Sequence, residues 1–227
     1  MTLYQNEMEA DLRRRILSLE LPPGRPLSRP ELLREYGVSS TPLRDALIQL
    51  QSDGLVVVQP QSGTMVSLID LEQARQAHFL RSATERAIVA ELAVSAPSGL
   101  IACLDGIISL QEQHAAADLA IFAALDSRFH EELFKAANMM AVHAVIRRES
   151  MHIDRIRALH LPVGDKTMQI LSDHRQIVDR IKAQDVAGAV AAMARHLSQS
   201  IAIAPELRSR MPEYFSQAPK SAPHGSH

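Results

Sequence analysis

Up to Ile69 the apolar positions come in short runs broken by proline and glycine; beyond Asp70 they recur with a 3.6-residue period to about Met211. In the first part, Met8, Leu12, Ile16 and Leu19 share one face of the segment Leu3 to Leu19, which predicts a helix. Leu21-Pro22-Pro23-Gly24 stops it. Ser28-Arg29-Pro30-Glu31 has the capping-box form, serine at the N-cap and glutamate three residues on, opening a short helix to about Tyr36. After the tight turn Gly37-Val38-Ser39, a third helix starting at Ser39 or Ser40 buries Leu43, Ala46, Leu47 and Leu50 and ends near Asp53-Gly54. Leu55-Val56-Val57-Val58 and Thr64-Met65-Val66-Ser67, joined by Pro60-Gln61-Ser62-Gly63, read as a β-hairpin.

The second part predicts helices alone, at about 70–95, 98–116, 119–137, 139–160, 165–184 and 186–210. Asp70 and Asp185 suit N-caps, Asn138 and Gly164 suit helix ends, and Pro97 and Pro162 sit at breaks. The expected architecture is mainly α. Residues 1–69 form a winged helix-turn-helix, residues 70–212 an all-α bundle, and residues 213–227 a disordered tail, its Ser216–His227 stretch rich in Pro, Ser, Gly and His.

Composition narrows the function. Aromatic residues are 4% of the 227, with no Trp, which disfavours a strand-rich fold. Cys103 is the single cysteine, so no internal disulfide or cysteine-based zinc cage can form. The first 20 residues lack the apolar core of a secretory signal, and no apolar run approaches a membrane span, so a cytoplasmic protein is expected. The net charge of -2 gives no sign of a bulk polyanion partner.

Three short helices followed by a hairpin could be a winged helix-turn-helix or a plain packing module. Local chemistry favours the first. Ser39, Ser40 and Thr41 place hydroxyls and free N–H groups at the start of the third helix, where phosphate oxygens bind well. Arg44 lies one turn on, within reach of a guanine edge, and Gly63 at the hairpin tip permits close backbone approach to DNA. Leu21-Pro22-Pro23-Gly24, Leu27-Ser28, Glu31-Leu32, Gly37-Val38-Ser39, Thr41-Pro42-Leu43-Arg44-Asp45-Ala46-Leu47, Gly54-Leu55-Val56 and Gly63-Thr64 together resemble the DNA-binding domain of GntR-family transcription regulators, over roughly residues 8–67. The family commonly has Arg where this chain has Ser40, and some members have Arg at Pro30, for which Arg29 is the nearest substitute. Residues 1–69 contain seven Arg, no Lys and eight Asp or Glu, so DNA affinity must rest on a few placed arginines and on dimerisation.

In the second part, Asp126 and His130 stand i,i+4 on the apolar stripe of Phe122, Phe129 and Leu133. His174 shares a stripe with Ile170, Ile177 and Ile181, and His196 with Met193 and Ile203. One inward histidine is ordinarily a satisfied core residue. Four inward polar groups, each costly to bury alone, suggest a shared partner, and a carboxylate with three imidazoles suits Zn²⁺, with Ni²⁺ or Mn²⁺ as alternatives. His78, His114, His143, His152 and His160 show no such convergence.

Arg81-x-x-x-Glu85, Asp126-x-x-Phe129-His130, Asp173-His174 and Met193-x-x-His196-Leu197 resemble the FCD effector domain of the FadR-type GntR subfamily, in its shorter six-helix form. The resemblance implies a metal held by Asp126, His130, His174 and His196, and a small carboxylate bound with help from Arg81. An exposed i,i+4 ion pair between Arg81 and Glu85 is the plainer reading of that arginine. The expected function is a dimeric DNA-binding regulator, acting on a palindromic double-stranded operator and controlled by a small organic acid at the metal. The alternatives are a constitutive regulator with a structural metal, and a metal-dependent hydrolase, for which no further acid or base stands at motif spacing.

Overall fold

The computed structural model describes residues 3–59 and 63–217. Helices α1 (Leu3–Leu17), α2 (Arg29–Tyr36) and α3 (Ser40–Ser52) are followed by strands β2 (Val56–Gln59) and β3 (Gly63–Val66). Met8, Leu12 and Ile16 are buried as their period requires. Leu19 does not join them: it lies beyond the helix with φ 65°, and Leu21 fills the core in its place. Ser28 is the N-cap of α2, but its hydroxyl makes no capping hydrogen bond, so the capping box does not form. Pro30, at the second helical position, lacks one of the two amides that an N-cap hydroxyl can serve. Gly37 closes α2 at φ 61°, a left-handed conformation that glycine adopts without a Cβ penalty.

The hairpin gains a strand that the pattern did not predict. β1 (Pro26–Leu27) pairs antiparallel with β3, giving the order β1-β3-β2. Two residues carry no periodicity, so only the pairing partner reveals this strand. The expected turn at residues 60–62 lies outside the described residues.

The bundle begins with α4 (Leu71–Val94), capped by Asp70 through the amides of Glu72 and Gln73. Then come α5 (Leu100–His114), α6 (Leu119–Ala136), α7 (Met140–Glu149), α8 (Met151–His160), α9 (Lys166–Lys182), α10 (Val186–Ala202) and α11 (Ala204–Arg210). Two expected helices are each divided. The segment 139–160 breaks at Ser150, and 186–210 breaks at Ile203, just before Pro205 in the first turn of α11, where a ring without N–H cannot continue the helix. Asp118, at the head of α6, is a further N-cap, accepting from Ala120 and Ile121. The ordered chain also runs further than expected: Phe215 is buried and bridges Ile69, and the amide of Ser216 donates to the Ile69 carbonyl. The expected tail beyond residue 217 lies outside the described residues.

Three apolar clusters hold these elements. One fills the bundle, with Phe122, Phe129, Phe134 and Leu104 at its centre. A second fills the winged helix and takes in Met151 of α8. The third, with Ile69, Ile153, Ile156, Leu207 and Phe215, lies at the junction. Helix α8 therefore reaches both parts. Its Arg155 is fully enclosed and donates to the Ser67 carbonyl at 2.6 Å, and the Nδ1 of His152 accepts the Asp70 amide at 3.0 Å. No helix among the described residues is long and apolar enough to cross a membrane.

Candidate functional site

The stripes that carry Asp126 and His130 on α6, His174 on α9 and His196 on α10 turn inward, and all four side chains are buried. One donor atom from each lies within 4.8 Å of the others. Nε2 of His130 stands 3.1 Å from Nε2 of His196, and Nε2 of His174 stands 3.5 Å from Oδ1 of Asp126. The stacked ring of Phe129, 3.8 Å from that of His174, fixes the imidazole plane.

Around these four residues lies a supporting ring. Nδ1 of His130 meets Oε2 of Glu85 at 2.5 Å, Nδ1 of His174 meets Oε1 of Gln111 at 2.9 Å, and Nδ1 of His196 approaches Oδ2 of Asp173 at 3.7 Å. Holding a proton on Nδ1 leaves the Nε2 lone pair free, as metal-binding imidazoles require. Arg157 of α8 donates to Oδ2 of Asp126. Burial works against the charge of Asp126, but Arg157 and the surrounding imidazoles outweigh it and hold the carboxyl well below its usual range. Burial lowers His130 to about 4, against the pull of Glu85, and takes His174 well below its usual value. These two imidazoles are neutral at pH 7, which is the form that ligates.

Oδ1 of Asp126 and Nε2 of His174 are buried without a hydrogen-bond partner. Such orphaned atoms are rare and costly in a folded chain. Three nitrogen donors and one carboxylate oxygen turned toward one point fit a borderline divalent cation.

Arg81 differs from its plainer reading. The pair with Glu85 does form, at 2.5 Å between Nε and Oε1, but it is buried and leads through Glu85 to His130. Arg81 also lines both clefts beside the cluster, one with Glu85, His130, His143 and Asp154, the other with Arg157, Lys166 and His196. The periodicity did not single out Glu85, Gln111, Asp173, Arg157 or Lys166 as parts of this assembly. The available signal was polar residues on otherwise apolar stripes: Glu85 shares the inner face of α4 with Ala74, Ala77 and Ile88, all buried.

At the other end of the molecule, α3 buries Leu43, Ala46, Leu47 and Leu50 and turns Ser40, Thr41, Arg44 and Ile48 to solvent. Ser39, its N-cap, is exposed and makes no side-chain cap bond, so its hydroxyl is available. Arg44 is 67% exposed, and among the described residues its one ion pair is with Asp45 at 3.8 Å. Arg29, at the start of α2, is also exposed. Gly63 opens β3 with φ 85°, a conformation that a side chain would strain.

Comparison with known proteins agrees with both halves. Residues 4–66 match the model of the bacterial regulatory proteins of the gntR family, and residues 76–199 match the FCD domain. A helix-turn-helix transcriptional regulator in an unstable DNA locus of Streptomyces ambofaciens is 33% identical over 213 residues, covering 93% of this chain and 89% of that protein. The transcriptional repressor RspR of Escherichia coli K12 is 28% identical, covering 91% of each. Among solved structures, E. coli McbR/YncC superposes with a TM-score of 0.78 at 20% identity, covering 91% of this chain and 99% of that one. A helix-turn-helix with a wing, an FCD bundle behind it and relatives that are transcriptional regulators place this chain in the GntR family, as a DNA-binding transcription regulator of the FadR type and not an enzyme.

Proposed function

We propose that this regulator binds one divalent metal, most simply Zn²⁺, at Asp126, His130, His174 and His196, and that a small organic acid bound there sets its affinity for a palindromic operator. The observation that carries this reading is the pair of buried, unpartnered ligand atoms on Asp126 and His174 within a cluster where the Nδ1 atoms of His130 and His174 are already engaged by Glu85 and Gln111. A metal in that position would supply a Lewis-acidic coordination position for a carboxylate oxygen. Arg81, beside it and planar, is suited to take a carboxylate with two parallel hydrogen bonds. Two clefts flank the cluster, both lined by Arg81 and Arg157, where a small acid would meet the metal site and a guanidinium together.

DNA reading falls to α3. Ser39, Ser40 and Thr41 would hold phosphates, Arg44 a base edge, and Arg29 and the Gly63 wing the flanking backbone. One winged helix reads one half-site, so the working unit is a homodimer on an inverted repeat, in the cytoplasm where the DNA is. Helix α8 would join the two functions. Its Arg157 holds Asp126, its Arg155 and His152 hold Ser67 and Asp70 in the connecting segment, and its Met151 sits in the winged-helix core. A ligand that binds two arrangements of α8 unequally would shift the placement of α3.

The test is elemental analysis of protein reconstituted with excess Zn²⁺ and desalted, paired with DNA-binding titrations against a duplex selected from random sequence. One metal per chain, lost in His174→Ala with His196→Ala, and a metal- or acid-dependent change in DNA affinity are the expected results. A metal-free wild type sinks the metal assignment. A loaded protein whose DNA affinity never changes leaves only the structural staple.

A further inference from the structure

The two clefts beside the cluster differ in charge. The first includes the carboxylates of Glu85 and Asp154 in its lining. The second is walled by Arg81, Arg157, Lys166 and His196, with Ile170 and Leu197 as apolar sides and no acidic group. Arg81 is paired with Glu85, and Arg157 with Asp126. Lys166 is different. It is 7% exposed at the start of α9, and its Nζ donates to the side-chain oxygens of Gln169 and Gln199. Among the described residues no carboxylate lies within 4.0 Å of it. A buried ammonium with only neutral amide acceptors is an expensive arrangement unless an anion meets it.

We infer that Lys166 docks a second oxyanion of the effector, so that the effector is a small acid with at least two anionic groups, one at the metal cluster and one at Lys166. This rests on the metal and organic-acid reading above and narrows its ligand class. Charge bookkeeping supports it. The three cationic side chains and a divalent metal face the carboxylates of Glu85 and Asp126, leaving three positive charges in excess; Asp154, which also reaches Arg157, is matched by Arg147, and Asp173 by Arg195. A monocarboxylate would leave two of them uncompensated in a water-poor cleft, and a dianion leaves one. The apolar walls suit a short carbon chain between the two groups. Lysine is a point charge without the planar fork of arginine, so a carboxylate and a phosphate-type oxyanion both satisfy it.

The experiment is calorimetric titration of the zinc-loaded full chain with butyrate, succinate and 3-phosphonopropionate, which share a backbone length and differ in the far group. Both dianions are expected to bind at least tenfold tighter than butyrate. Succinate the tighter identifies a dicarboxylate effector; the phosphonate the tighter identifies a phosphorylated acid. Lys166→Met should bring succinate down to the affinity that butyrate has for the same variant, with the single zinc retained. Lys166→Arg, which keeps the charge, should retain the preference and controls for folding. If butyrate binds as tightly as succinate, or if Lys166→Met keeps the difference, the second anion site is overturned while the organic-acid reading stands. If zinc is retained and none of the three binds, the organic-acid reading fails and takes this inference with it.

Discussion

Replacing Glu85 by glutamine removes a charge from between a buried guanidinium and a buried imidazole. Arg81 and Glu85 are 8% and 2% exposed and 2.5 Å apart, and Glu85 also meets His130 at 2.5 Å. The variant leaves Arg81 buried without its counter-charge, a loss of about 3–5 kcal/mol for a broken buried pair. That is a large part of the roughly 5–15 kcal/mol that holds a typical domain together. The glutamine oxygen can still accept from His130 Nδ1, but the bond is no longer charge-assisted, and zinc affinity should fall about 10- to 100-fold, as for other lost metal-ligand supports. The double variant Arg81→Met with Glu85→Gln separates these effects. With both charges gone, stability should return to within about 1.5 kcal/mol of wild type, since an apolar replacement of a buried pair is often neutral. Zinc affinity should stay low, because Glu85 is still absent. Urea unfolding in the presence of EDTA measures the first quantity, and zinc competition against a chromophoric chelator the second. A single variant as stable as wild type, or zinc affinity that recovers in the double, refutes the assignment of Glu85 as the support of His130.

Burial and the neighbouring Arg155 lower His152 to about 4, so its stabilisation is complete above pH 6.5 and is lost as pH falls toward 4. Metal-free wild type should therefore lose about 2 kcal/mol more than His152→Gln between pH 7.5 and pH 5, read from urea midpoints at each pH; parallel losses would show that His152 does not couple to folding. Arg44→Ala should weaken binding to the selected duplex by about 1–3 kcal/mol with the melting temperature unchanged, because the side chain is 67% exposed; unaltered affinity in fluorescence anisotropy would remove Arg44 from the interface. Arg155→Met should speed amide exchange across residues 67–70 at least tenfold and shrink the metal-dependent change in DNA affinity, with zinc stoichiometry intact; an undiminished response would exclude this contact of α8 as the coupling route.

The helices, the winged order of elements and the inward placement of Asp126, His130, His174 and His196 were all legible in the chain. Each depends on local spacing: an i,i+4 pair faces one way on any helix, and an apolar stripe must turn to the core whatever lies opposite. The split of the segment 186–210 has a local cause in Pro205, but other departures come from contacts between distant residues. β1 exists only because β3 lies beside it, and Phe215 is ordered only because Ile69 offers it an edge. Which histidine takes Glu85 or Gln111 as its Nδ1 partner, and which one Asp173 approaches, is decided by how α4, α5 and α9 pack around α6 and α10. The pairing of Arg157 with Asp126, and of Arg155 with Ser67 some 88 positions away, has the same origin. The sequence by itself determined which apolar stripes turn inward, and with them Asp126, His130, His174 and His196, because that follows a periodicity written within each helix. Only the tertiary structure decided what each of them meets there, since hydrogen bonds and ion pairs are directional and short-ranged and depend on the packing of elements far apart in the chain.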